Sequence, residues 1–247
     1  MVKRKLASRQ DQRAPGAPGP DWYFLGRRPR NDRTLTVTEV KERNRDRVAR
    51  RQVDKFAERR AQLAAAALQT LAELGYARTS LRDIAQNSEF SHGVLHYYFS
   101  DKFELITYCV RQYKAECVTR YDSIVATAGS AAELRLGFGA AMAATLREEA
   151  TLHRLWYDLR NQSMFDEAFR ADVHEIDQSL ERMIWRIVTK FADLSGTPLA
   201  VTSPVAYAMF DGLFQHALIN HLAGSADAAL DLEENVPRVL DSLAARG

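Results

Sequence analysis

Residues 75–104, GYARTSLRDIAQNSEFSHGVLHYYFSDKFE, decide how the rest of the chain is read. They form two short predicted helices joined by a tight turn. Ser80 with Asp83 three positions later has the pattern of a capping box, in which the hydroxyl satisfies a free amide at the helix start and the carboxylate reaches back. Leu81, Ile84 and Ala85 then make an inner face. Ser91 is placed to cap the second helix, whose inward positions Leu95, Tyr98 and Phe99 recur at helical spacing. His92, Gly93, Val94, His96 and Tyr97 are left facing outward. With Phe90 apolar in the turn, the unit has the spacing of a helix-turn-helix, whose second helix enters a DNA major groove.

The order TSLRDIA, SHGVLHYYF and DKFEL, preceded by a helix ending in ELGY, resembles the N-terminal domain of TetR-type transcriptional regulators, over Phe56 to Leu105. The resemblance implies an all-α homodimer that binds a palindromic operator in double-stranded DNA through this domain. It also implies a small-molecule effector bound by the remainder, repression as the usual outcome, no cofactor and no enzymatic activity. By resemblance, His92, Gly93, Val94 and Tyr97 read base edges, while Thr79, Arg82, Ser91, His96, Tyr97 and Lys102 are candidates for phosphate contacts. Two departures stand out. The family turn usually carries Gly followed by Val where this chain has Glu89 and Phe90. His92 stands where Lys is commoner, which removes a permanent positive charge and points to mild pH dependence.

Composition is consistent with this reading. A chain of 247 residues with 46% hydrophobic content suits a small domain followed by a larger one. No run of about 18 apolar residues is present, so no membrane span is expected. The charged N-terminus does not read as a secretion signal, and a cytoplasmic protein is expected. Cys109 and Cys117 lie eight apart on one predicted helix, about 12 Å along its axis, too far to bridge. The net charge of +2 hides a split: residues 1–53 hold 15 Lys or Arg against 6 Asp or Glu, and the remainder 19 against 26. A basic arm ahead of an acidic body points to an anionic partner at the N-terminal end.

Residues 1 to about 36 carry the proline-rich APGAPGP and RRPR among basic residues, a composition that favours disorder. The apolar patch from Trp22 to Leu25 is the exception. From Thr38 no Gly or Pro interrupts the run, so helix is able to begin well before the family's first helix. The arm reads either as a grip on DNA phosphates or the minor groove, or as a solvated tail or an early start. A secure helix follows from Asp54 to Leu74, with Phe56, Leu63, Ala67, Leu71 and Leu74 on one side, ended by Gly75.

After the helix-turn-helix, Asp101 and Glu104 form a second capping box at the start of a long helix reaching about Ala128. Ser130 and Glu133 open the next helix. Separate helices are expected around Leu152–Leu159, from Ser163 to Gly196, from Ser203 to Leu222, and from Asp231 onward. About nine helices and no strand result. The domain reading is a flexible basic arm at 1–53, a three-helix DNA-binding domain at 54–104, and a larger helical effector-binding and dimerisation domain at 105–247.

Tyr113, Trp156, Arg160, Asn161, Phe165, Phe169, His174 and Asp177 mix aromatic surface with a few polar groups, as binding pockets do; the same stripe also reads as plain core. The C-terminal half is distantly similar to regulators of the choline-repressor type. The helix with Tyr207, Phe210, Phe214 and Leu218 is apolar around most of its circumference. It is expected to form a four-helix dimer bundle with Val236 and Leu240 of the last helix, or else to be buried centrally. His92 and His96, at i and i+4, have metal-ligand spacing, but without a nearby cysteine or carboxylate partner no metal site is expected. A diiron carboxylate bundle needs two Glu-x-x-His pairs, and only Glu89 with His92 fits. No phosphate-cradling loop or nucleophile elbow appears. The competing reading from another class is a helical protein-interaction module whose basic end binds polyanions without sequence preference.

Overall fold

The computed structural model describes the backbone from residue 37 to 244 and the side chains from residue 43 to 244. The proline-rich arm and the Trp22–Leu25 patch lie outside the described residues. The chain divides into two compact units, residues 1–50 and 51–247. The described part of the first unit is helical, its side chains from Arg43 to Arg50 are exposed, and Arg47 donates to Asn44 at 3.0 Å.

Nine α-helices are present among the described residues: α1 (Val37–Leu74), α2 (Leu81–Gln86), α3 (His92–Tyr98), α4 (Lys102–Cys117), α5 (Asp122–Thr127), α6 (Ala131–Gln162), α7 (Arg170–Ser195), α8 (Ser203–Leu222) and α9 (Ala228–Leu243). The described residues form no strand, only one isolated bridge between Leu199 and Ala244. The caps read from the sequence close α2, α4 and α6. Ser80 accepts from the Asp83 N–H while Asp83 takes the Ser80 N–H at 2.8 Å. Asp101 accepts from Glu104 at 2.8 Å, and Ser130 from Glu133 at 3.2 Å. Gly75 ends α1 at a φ of 78°, a left-handed conformation that a side chain would strain.

Four boundaries differ from the sequence reading. The helix expected from Ser163 begins at Arg170, after a short 3-10 turn at Glu167–Phe169, and Ser163 instead closes α6. The helix expected from Asp101 to Ala128 is broken after Cys117. There the backbone bonds tighten from i−4 to i−3, with Arg120 N–H on Cys117 and Asp122 N–H on Thr119, both at 3.1 Å. Tertiary contacts favour the break, because it turns Arg120 onto Glu149 at 2.5 Å and buries Tyr121 against Phe138. Conversely, the two helices expected between Ser130 and Leu159 are continuous in α6, which kinks at Glu149 (φ −129°). The last helix begins at Ala228, not at an Asp231 cap, and contains Pro237.

That proline has a packing role. It cannot donate to the carbonyl four residues back, which belongs to Glu233. Gly139 of α6 sits against this carbonyl so closely that a Cβ would lie 2.7 Å from the Glu233 oxygen. The α6–α9 crossing is thus a glycine on one helix facing a proline-freed carbonyl on the other. Around it, α6, α8 and α9 pack together, and α7 closes the bundle against α8. The core runs without interruption from Leu63 on α1 to Leu243 on α9. Phe99, Phe138, Trp156, Phe169 and Phe210 are its largest fully buried side chains. Each contributes on the order of 1.5–3 kcal/mol through removal from water.

Candidate nucleic-acid interface and interior cavity

The recognition unit is built as two short capped helices clamped to their neighbours. Leu81, Ile84, Phe90, Leu95 and Phe99 are buried beneath it. Arg59 lies 4.6 Å over the Phe90 ring, and Arg60 stacks 4.5 Å from Phe99 while pairing with Glu104 at 2.6 Å. Backbone and side-chain bonds from Ser100, followed by Arg60, hold the Glu104 carboxyl below the usual carboxylate range. The sequence reading missed both arginines, because their partners are over 30 positions away in the chain.

On α3 the outward set is largely as read. Ser91 caps the helix through the Val94 N–H at 3.3 Å. His92, Gly93, His96 and Tyr97 are exposed, as is Arg82 on α2. A Cβ at Gly93 would meet nothing within 4 Å. Tyr97 is 73% exposed and sets its ring against Phe56 and Tyr98, at 6.3 and 5.0 Å. Val94 is half-buried and packs on the core, so it presents less surface than the sequence reading gave it.

Two of the phosphate candidates are engaged within the protein. The Thr79 hydroxyl is buried and donates to the Gly75 carbonyl at 2.7 Å. Lys102 donates to the Tyr76 carbonyl at 2.8 Å, with its ammonium 4.1 Å over the Tyr76 ring. Partial burial lowers the Lys102 pKa. Both side chains brace the α1–α2 loop, since a carbonyl at a helix end needs a donor.

The body grips this unit through α6. Arg154 donates to the carbonyls of Ala72 and Glu73 at the end of α1, at 2.6 and 3.1 Å. Asp158 accepts the Tyr76 N–H at 2.8 Å. No local pattern signals these contacts, which span about 80 positions.

On the other side of the same segment, His153, Trp156 and Tyr157 line a cavity of about 60 Å³, together with Lys114, Tyr121, Met142, Leu180, Met183, Ile184, Tyr207, Phe210, Asp211 and Phe214. Of the expected ligand residues, Trp156 alone is in this lining. Arg160 and Asp177 stand behind it: Arg160 pairs with Asp211 at 2.5 Å, and Asp177 accepts from Tyr207 at 2.6 Å. Tyr113 also lies behind the wall, donating to Glu149 at 2.6 Å with its ring beside His153. The rest are elsewhere. Phe165 is 85% exposed, Asn161 lies on an outer groove, and His174 is exposed and bonded to Gln178. Phe169 is buried as a wedge between Tyr76 and Phe103, because the turn after α6 swings it toward the DNA-binding unit.

Cys117, Glu149 and His153 place ligand atoms within 4.8 Å of one another. Glu149 already holds the Arg120 guanidinium, which also approaches Cys117 at 3.8 Å, and Lys114 stands 3.5 Å from Nδ1 of His153. Two cations therefore occupy the positions from which a metal would be held.

The expected dimer residues also need reassignment. Phe210, Phe214, Leu218, Val236 and Leu240 are buried in the chain's own core, and Tyr207 is half-buried against Asp177. The unpartnered face of α8 is the opposite one, where Val205, Met209, Ile219 and Leu222 are exposed at helical spacing and nothing approaches Gly212. A helix apolar all round carries more apolar surface than one core-facing side covers, which leaves this aliphatic stripe outside.

Residues 63–109 match the family profile described as bacterial regulatory proteins, tetR family. No curated protein matches the chain significantly. Among solved structures, the transcriptional regulator FadR from Bacillus subtilis in complex with stearoyl-CoA is 19% identical with a TM-score of 0.58, covering 75% of this chain and 97% of its own. A TetR transcription regulator from Haloarcula marismortui is 18% identical with a TM-score of 0.62, covering 76% and 100%. A protein of Saccharomonospora viridis in complex with choline is 17% identical with a TM-score of 0.63, covering 77% and 100%. At such identities the structures show a shared fold. The profile match lies on α1 to α4, where the clamped helix-turn-helix is built, so residues 63–109 are similar to the DNA-binding domain of bacterial regulatory proteins of the tetR family.

Proposed function

We propose that the protein is a homodimeric, cytoplasmic repressor that binds a pseudo-palindromic operator and releases it when a small molecule enters the interior cavity. It works by binding and not by catalysis. The observation that carries this reading is the double role of residues 153–158. His153, Trp156 and Tyr157 line the cavity, while Arg154 and Asp158, on the same turns of α6, hold the end of α1 and the loop before α2. A ligand that moves one side of this segment moves the other. Recognition helices in a two-fold dimer sit about 34–36 Å apart, or a multiple of that, so a modest displacement spoils their match to successive grooves.

Dimerisation is assigned to the exposed α8 stripe of Val205, Met209, Ile219 and Leu222, with Gly212 permitting close approach. No described helix is long and apolar enough to cross a membrane. Base contact is assigned to His92, Gly93 and Tyr97, with Arg82, Ser91 and His96 toward phosphates. The shared fold carries stearoyl-CoA in one protein and choline in another, so the effector of this chain is set by its own cavity.

The test is selection of bound sequences from a random duplex library, followed by competition. A regulator prefers its selected site over random duplex by about 1000-fold or more. Equal competition by random DNA would favour the polyanion-binding module instead.

A further inference from the structure

Among the described residues, several N–H groups around the cavity lack an acceptor. Lys114 is 2% exposed, and its one hydrogen-bonding neighbour is Nδ1 of His153 at 3.5 Å. An ammonium has no lone pair, so Nδ1 accepts and the neutral ring carries its proton on Nε2. Burial, with Lys114 and Arg120 nearby, holds the His153 pKa well below its ordinary value, consistent with that neutral ring. His153 as a residue keeps some exposure, but its Nε2 is sealed from solvent and has no partner. Nε1 of Trp156, itself 2% exposed, is likewise buried without a partner.

The acceptors nearby are already engaged. Asp211 accepts from Tyr157 at 3.0 Å and from Arg160 at 2.5 Å. Asp177 is taken by Tyr207 and Arg160, and Glu149 by Tyr113 and Arg120. None of these carboxylates hydrogen-bonds Lys114, whose charge is softened by the Tyr113 and Trp156 ring faces at 5.1 and 5.2 Å. A buried cation beside unmatched donors is costly without an acceptor.

Resting on the reading of this cavity as the effector site, we propose that the effector is a carboxylate on an apolar body. Its headgroup is taken by Lys114 with the free N–H groups of His153 and Trp156. Its body lies against Leu180, Met183, Ile184, Phe210 and Phe214. The open space of about 60 Å³ suits the headgroup, and the flexible Met142 and Met183 give way for the body. Asp211, which accepts from Arg160 and Tyr157, makes no hydrogen bond to Lys114.

The test uses butanoate, hexanoate and octanoate, each against the matching primary alcohol and alkylammonium. Binding to the full chain is followed by calorimetry and by Trp156 emission in a Trp22→Phe/Trp185→Phe background. Carboxylates should bind about tenfold or more tightly than the alcohols. Lys114→Met should erase that preference while retaining a cooperative thermal transition, and Trp156→Phe should reduce it. Equal binding of alcohols, preference for alkylammoniums, a carboxylate preference that survives Lys114→Met, or no binding by any probe would overturn the proposal. Operator release is measured separately, by gel shift. Carboxylates that bind with the expected selectivity and leave the DNA complex intact would uphold the headgroup assignment and sink the switch; release by alcohols alone would do the reverse.

Discussion

Replacing Lys114 with Met should stabilise the unliganded protein at neutral pH, although it deletes a hydrogen bond. Burial pulls the Lys114 pKa from 10.5 to about 8. For a lysine lowered on folding, the folded chain binds fewer protons than the unfolded chain between those two values. The cost of the buried charge is therefore full below about pH 8, declines as pH rises, and is gone above about 10.5. That shift corresponds to roughly 3 kcal/mol. Removing the ammonium leaves Nδ1 of His153 without its partner, a loss of about 1 kcal/mol. The net gain at pH 7 is about 2 kcal/mol, or about 4–8 °C in Tm for a chain of this size. Thermal melts of wild type and Lys114→Met at pH 7, 8, 9 and 10 check it: the variant melts higher at pH 7, and the gap closes as wild-type Lys114 sheds its proton. A variant that melts lower at pH 7, or a gap that does not change with pH, would refute the account of Lys114 as a buried cation without an anionic partner.

Tyr97→Ala should weaken operator binding by about 1–3 kcal/mol in a fluorescence anisotropy titration, with the melting temperature unchanged, since the ring is 73% exposed. Gly139→Ala should destabilise the fold by about 1–3 kcal/mol in chemical denaturation, because its Cβ meets the Glu233 carbonyl at 2.7 Å on a rigid backbone. Met209→Glu with Ile219→Glu should convert the proposed dimer to folded monomers in sedimentation, whereas Phe210→Glu should unfold the chain, because Phe210 is 1% exposed. Deleting residues 1–50 should leave sequence preference intact but flatten the salt dependence of DNA binding, as each lost Lys or Arg contact to phosphate lowers the slope by about one; an unchanged slope would return the arm to a solvated tail.

What the sequence alone determined was local. Ser80, Ser91, Asp101 and Ser130 mark helix starts because a capping oxygen and the amide it accepts lie within a turn of each other. The inner face of the helix-turn-helix follows from three-to-four spacing, and the family resemblance rests on the same residues. Tertiary structure decided everything that depends on partners distant in the chain. Arg120 reaching Glu149 broke one expected helix, and α6 joined two others. Thr79 and Lys102 turned from DNA toward backbone carbonyls because the α1–α2 loop exposes acceptors there. Periodicity showed that α8 is apolar all round, but which side meets its own core depends on how α6, α7 and α9 surround it. The cavity also brings Lys114 of α4 to His153 and Trp156 of α6, 39 and 42 positions away. No periodic pattern encodes that meeting, because it depends on how helices cross and not on how residues repeat along one of them.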